Sequence, residues 1–350
     1  MKKLTLLTIS FMFVFAAAFA QTTNPKNLSA PQGTHETGVR ADPEVFLQGD
    51  YIDLGIEASG SCGSLGDPPG GYHFYTDNSG GLGFVADHNL NGWAVGSPAF
   101  SGDYFLPGWP FEGWLVEFTY DGDEYTFKNC GATGVVQVPQ TSLTNTSVGT
   151  TNSALWIGTA TGAGQTVEVR QNFNFLDSDG KFHVDVTLTN TSTVPLYDVE
   201  YARSVDPDME VNLGGSFVTT NYVQSQPGGS NTIAEVRSFG ITYEVPMALQ
   251  LDHPNAKAHV VSTGDLEIYT PNEALDGTYA PTQAAPYVND VGVAVAVRFP
   301  VLNPGQSESF QVTYLLNEQE VSLVPVSNWA LALMIGLIAI FTVIRFRRMS

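Results

Sequence analysis

The chain is poor in cysteine and in basic residues, and it lacks the short signatures that announce a catalytic centre. Its 350 residues hold two cysteines, Cys62 and Cys130, and six scattered histidines. A structural zinc site needs four nitrogen or sulfur ligands at close spacing, so that class is excluded. Fourteen basic residues face 35 acidic ones. Five of the fourteen (Lys2, Lys3, Arg345, Arg347 and Arg348) lie in terminal segments that hold no acid, which leaves nine against 35 in between. So acidic a body repels nucleic acid and anionic lipid, stays soluble and attracts divalent cations. There is no Gly-x-Ser-x-Gly elbow, no His-Glu-x-x-His, no phosphate loop and no dinucleotide fingerprint. A glycosidase needs one defined carboxylate pair, and acids this abundant single out none. A sugar-acting pocket would need histidines converging with an acid, and the spacing of His73, His88, His253 and His259 predicts no convergence. The reading is therefore a non-enzymatic protein.

What the chain does have begins at its ends. Lys2 and Lys3, an apolar stretch over 4–19 and a small-residue site at Ala18-Phe19-Ala20 form a secretory signal peptide over 1–20. Residues 21–42, rich in Thr, Asn, Pro, Gly and Ser, read as a disordered lead-in. At the other end, 321–350 form a tail in three parts: Val324-Pro325-Val326 with Trp329, a charge-free run over 329–344, and a cluster with Arg345, Arg347 and Arg348. At ~1.5 Å per residue the run makes a helix of roughly 24 Å, enough for a short transmembrane span without tilt. Pro325 fixes the chain before the helix, Trp329 suits the interface, and the arginines stay cytoplasmic.

This tail resembles the C-terminal sorting signals of bacterial surface proteins, the IPTL-CTERM type within the wider PEP-CTERM class. Pro325, Trp329, Ala330 and Leu331 match the motif, with Val324 and Val326 in place of its Ile and Thr. The resemblance implies routing by an exosortase-like membrane enzyme; a plain single-pass anchor is the other reading of the same residues. Both place the body outside the cytoplasm, at the cell envelope or outer surface.

Between the ends, abundant Gly, Thr, Val, Tyr and Phe with few lysines predict an all-β body, an antiparallel β-sandwich that is either one large unit or two consecutive ones, divided as 43–160 and 161–320. In the oxidising compartment that export implies, Cys62 and Cys130 are expected to form a disulfide, adding ~2–4 kcal/mol. The clearest strands are 166–175, where Val167, Val169, Phe173 and Phe175 alternate with polar residues, and 182–188, where Phe182, Val184, Val186 and Leu188 do the same. Together they predict a long antiparallel hairpin. Asp121-Gly122 marks a tight turn between two strands. Residues 291–299 read as a strand buried on both faces, and the Ser/Thr-rich stretch 140–161 as a linker or crossover.

Three places are candidate sites. Asp87, Asn89 and Asn91, followed by Gly92, have the spacing of a calcium loop, but position twelve is Pro98; the alternatives are a calcium site helped by Asp103 or Glu112, and a hairpin turn. The aromatic window 81–118, with Trp93, Trp109 and Trp114, either lines a groove in which extracellular glycans stack on Trp109 and Trp114, or fills a core. Asp206, Asp208 and Glu210 crowd one turn, as a second cation candidate or a solvated loop. Segments 46–49, 82–87 and 102–108 resemble a secreted bacterial module of unassigned role. The strand, turn and strand around Asn190-Thr191-Ser192 are similar to those of immunoglobulin-like sandwiches and of sugar-mutarotase-like proteins, which implies a style of strand and no active site.

Overall fold

The computed structural model describes residues 44–78, 81–107, 111–130, 134–261, 270–275 and 286–316. The signal segment, the lead-in, Trp109 and the tail 321–350 lie outside these residues. No helix among the described residues is long and apolar enough to cross a membrane.

Three short strands, β1 (Val45–Gln48), β2 (Ile52–Ile56) and β3 (Phe84–Ala86), form a small sheet of their own. The meander β4 (Glu112–Tyr120), β5 (Asp123–Cys130) and β6 (Val135–Val136) opens a six-stranded sheet. The next meander, β7 (Gln140–Asn145), β8 (Thr151–Gly162), β9 (Gln165–Leu176) and β10 (Lys181–Asn190), opens a nine-stranded one. The chain then shuttles between the two. β11 (Leu196–Val205), β15 (Ala256–Val260) and β17 (Val293–Leu302) join the first, giving the order β15-β17-β11-β4-β5-β6. β12 (Thr219–Ser225), β13 (Ile233–Gly240), β14 (Pro246–Asp252), β16 (Tyr287–Asn289) and β18 (Ser307–Leu315) join the second, giving β16-β12-β13-β14-β18-β10-β9-β8-β7. A single short α-helix, α1 (Pro271–Leu275), is seen among the described residues, besides a 3-10 turn at Val211–Leu213. Every pairing in the three sheets is antiparallel.

The division at residue 160 does not separate two units. β8 runs through it, and β4 from the first region pairs with β11 from the second, Val116 opposite Tyr201. The result is one sandwich. Its two large sheets meet through Trp114 against Trp156 at 5.1 Å and Tyr201 against Phe310 at 5.1 Å, while Phe84 against Phe182 at 5.0 Å docks the small sheet on the same core. Such sheets must bury one face each, and interdigitated aromatic side chains fill the space between them.

The predicted hairpin is β9–β10, with Val184 opposite Phe173 and the expected residues buried. Asp121 and Gly122 both have positive φ, at 54° and 87°, as a two-residue turn matching the strand twist requires. β17 is buried on both faces: Val293, Val295 and Val297 enter the main core. On the other side, small Ala294 and Ala296 let Ala274 of α1, Leu115 and Ala202 pack close. The stretch 140–161 is sheet rather than linker. β-branched threonines suit a half-exposed strand, and on its inner face Ala154, Trp156 and Ala160 are fully buried.

The expected disulfide between the cysteines is not formed, and both are buried as thiols. Cys62 belongs to the core between the sheets, its Sγ 3.6 Å from the Arg203 guanidinium. Cys130 ends β5 beside Gly113 and shares a small hollow of about 20 Å³ with Leu115, Ala202 and Ser204. Leu115 and Ala202 alternate with the core residues Trp114 and Tyr201, so that hollow is on the outer face of the sheet, and the sheet itself stands between the thiols.

Candidate functional site

The sequence-predicted residues are placed as follows. Asp87 follows β3, and its Oδ2 accepts backbone N–H bonds from Asn91 at 2.8 Å, Gly92 at 2.6 Å and Trp93 at 3.0 Å. Asn89 turns its Nδ2 to His88 and the Pro98 carbonyl. Of the two readings of Asp87, Asn89 and Asn91, these bonds form the turn: Asp87 Oδ2 is spent on it, while the buried Oδ1 has no hydrogen-bond partner. Trp114 is 2% exposed, with its Nε1 donating to the Ser59 carbonyl at 3.1 Å. It is a core residue and no stacking platform.

The half-exposed aromatics lie elsewhere. The His73 ring stacks on Trp93 at 3.8 Å with 2° between planes, and its Nδ1 meets Asp53 Oδ2 at 2.8 Å. Burial raises the Asp53 carboxyl above its usual range, and the bonds to His73 oppose that rise.

Between the sheets sits a buried polar hub. Arg203 of β11 is fully buried. Its Nε donates to Glu112 Oε1 at 2.6 Å and to Tyr314 Oη at 2.9 Å, and one terminal nitrogen donates to Gln171 Oε1 at 2.6 Å. Tyr314 donates to Glu112 at 2.6 Å, and the Cys62 N–H donates to the other Glu112 oxygen at 2.5 Å. The ring of Phe173 lies 5.3 Å from the guanidinium carbon. Every strong donor and acceptor is matched, so the hub positions strands and leaves no group free to react.

The third acidic candidate is no solvated loop. Asp206 and Asp208 follow β11 with Pro207 between them, and in extended chain alternate residues point the same way. Their backbone is held by Asp206 N–H to the Phe111 carbonyl and Asp208 N–H to the Tyr104 carbonyl, both at 2.9 Å. Asp290, just past β16, brings a third carboxylate from 82 positions away, and one oxygen from each lies within 4.8 Å of the other two. Asp206 is 3% and Asp208 2% exposed, whereas Asp290 is half-buried. Burial, then the neighbouring carboxylates, pushes Asp206 and Asp208 well above the carboxylate range. Burial also raises Asp290. The three offer hard oxygen donors, a set suited to calcium or magnesium rather than zinc. Glu210 is not part of this group; it accepts the N–H groups of Thr242, Tyr243 and Val245 at 2.8–3.0 Å.

Asp206 and Asp208 were legible as acids at a turn, but Asp290 gave no local signal. Arg203, Gln171 and Glu112 had one: each occupies an inward position of a period-two strand otherwise filled by Val, Phe, Tyr or Trp.

No family model matches the chain, and no curated protein matches its sequence. Solved structures with a similar arrangement include a polysaccharide lyase, at 10% identity and TM-score 0.31, covering 59% of this chain and 26% of that one. The chain thus spans about a quarter of that protein's length. A galactose mutarotase related enzyme from Lactobacillus acidophilus is 9% identical, at TM-score 0.34 over 78% of this chain and 97% of that one. An α-galactosidase from Geobacillus stearothermophilus is 9% identical, at TM-score 0.36 over 79% and 41%. At this level the likeness is one of layered antiparallel strands, and no chemistry is carried over from it.

Proposed function

We propose that the protein is exported and held or sorted at the cell envelope by its C-terminal segment, with the β-sandwich body serving a structural, adhesive or matrix role there. The observation that supports a non-catalytic body is the filled interior. Trp114, Trp156, Phe173, Phe182, Tyr201, Arg203 and Tyr314 occupy the space between the sheets, each at most 2% exposed. His73 and His88 belong to loops around the small sheet, while His253 follows β14 and His259 lies in β15. The acidic body and the Arg-ended tail support the placement outside the membrane. Mass spectrometry of the protein from envelope fractions tests this. A C-terminus trimmed near Pro325 is expected for exosortase-like sorting, and an intact one for a simple anchor. Recovery of the full-length chain from cytosol would overturn the proposal.

A carbohydrate-binding role is the second reading, favoured by the Trp93–His73 stack, which is half-exposed beside Tyr72 and Asp53. Glycan-array binding that disappears in Trp93→Ala would support it, and binding unchanged by that substitution would count against it.

A further inference from the structure

We propose that Asp206, Asp208 and Asp290 form a binding site for a divalent cation, calcium above all, that ties the nine-stranded sheet to the six-stranded one. This goes beyond the role proposed above and holds wherever the protein resides.

The spacing fits the ion. Calcium sits about 2.3–2.6 Å from each oxygen ligand, so two ligands of one ion are at most ~5 Å apart. The three carboxylates keep oxygens within 4.8 Å of one another. Magnesium, at about 2.0–2.1 Å in a strict octahedron, gives up its waters reluctantly and is less suited to a set of several protein carboxylates. The half-exposed side of Asp290 leaves room for water to complete the coordination shell.

The charge requires a partner. None of the described basic side chains offsets these three carboxylates. Arg203, three residues before Asp206, is committed to Glu112 on the inner face.

The sharpest observation is a contrast with two other buried acids of this chain, Asp103 and Glu210. Asp103 receives four backbone N–H bonds, from Gly83, Phe84, Phe105 and Leu106, and Glu210 receives three. Asp87 receives three on one oxygen. Asp208, 2% exposed, has Oδ1 with no hydrogen-bond partner, and Asp290 Oδ1 has none either; Asp53 Oδ1 and Asp87 Oδ1 are also unpartnered, but among the described residues only Asp206, Asp208 and Asp290 gather three carboxylates at one point. Folding buries polar atoms only when something compensates them, and clustered carboxylates are compensated either by taking up protons or by a cation, which competes for the same oxygens.

The position gives the ion a structural task. Asp206 and Asp208 stand where β11 leaves the six-stranded sheet. Asp290 stands where the chain passes from β16, at the edge of the nine-stranded sheet, to β17, the neighbour of β11.

The test uses the full chain in detergent after treatment with EDTA. Calcium is expected to raise the melting temperature by several degrees, with half-saturation at about 0.1–1 mM, the range of extracellular modules. Terbium, a luminescent calcium substitute, should bind and be displaced by calcium. Asp290→Asn should weaken both responses at least tenfold. Asp208→Asn should stay folded in EDTA, since it removes a repelling charge, and should lose the calcium response. Asn91→Ala, at the Asp87 turn, should keep it. No melting shift and no terbium signal in the wild type would overturn the proposal, as would responses that survive in Asp208→Asn and Asp290→Asn or vanish in Asn91→Ala.

Discussion

Arg203 is the residue on which the interior depends most, because it is a full charge at zero exposure held by Glu112, Tyr314 and Gln171. Removing one partner of a buried ion pair strands the other, at a cost of about 3–5 kcal/mol, whereas removing both costs much less. Arg203→Met is therefore expected to lower stability by that amount in urea unfolding, and adding Glu112→Gln to recover part of the loss, which a double-mutant cycle reads out. His259 contributes one share of the response to acid, opposed by the raised carboxyls of Asp103, Asp206 and Asp208. It is fully buried, and burial lowers its pKa from 6.5 to about 4. At this site the native state then binds fewer protons than the unfolded chain between those values, so the contribution of His259 to stability is complete above pH 6.5 and is lost as pH drops toward 4, by ~3 kcal/mol. His259→Leu is expected to remove that share, seen as a smaller difference between unfolding curves at pH 7 and pH 4.5 than in the wild type.

At the scale of elements, β13 and β14 are joined through a turn that Glu210 holds from outside the hairpin. Its carboxylate caps the N–H groups of Thr242, Tyr243 and Val245, and a Cβ at Gly240 would come within 1.9 Å of its Cδ. A stranded buried donor costs ~1–3 kcal/mol. Glu210→Ala is expected to speed hydrogen exchange at residues 242, 243 and 245 selectively and to lower stability by at least ~2 kcal/mol, with Glu210→Gln milder. Strands with strict alternation, β9 and β10, were readable because each buries one face against a core whatever its neighbours are. β8 was harder to read, since the inner positions Gly158 and Ala160 are small and its outer threonines look like linker. Trp156 lies over Gly158, where a Cβ would come within 2.2 Å of the ring, and that contact explains the small residue.

For the molecule as a whole, local chemistry was legible in the sequence and partnership was not. Period-two burial, turn residues and charge balance are properties of adjacent positions, so the all-β class, the β9–β10 hairpin, the Asp121-Gly122 turn and the doubly buried β17 followed from the chain alone. Whether two distant residues meet depends on how strands are dealt between sheets, and no local pattern records that. Cys130 ends a strand of the six-stranded sheet on its outer face and Cys62 belongs to the core on its inner side, so the fold leaves them as thiols. Asp87 has the spacing of a calcium ligand and closes a turn, because the backbone N–H groups of residues 91–93 reach it first. Asp206 and Asp208 have the composition of a solvated loop yet are buried in the fold, where Asp290 arrives beside them from 82 residues further along the chain than Asp208. Sequence by itself determined which faces are apolar and where the chain turns. Tertiary structure alone decided which charges are buried together, because desolvation and mutual repulsion act through space.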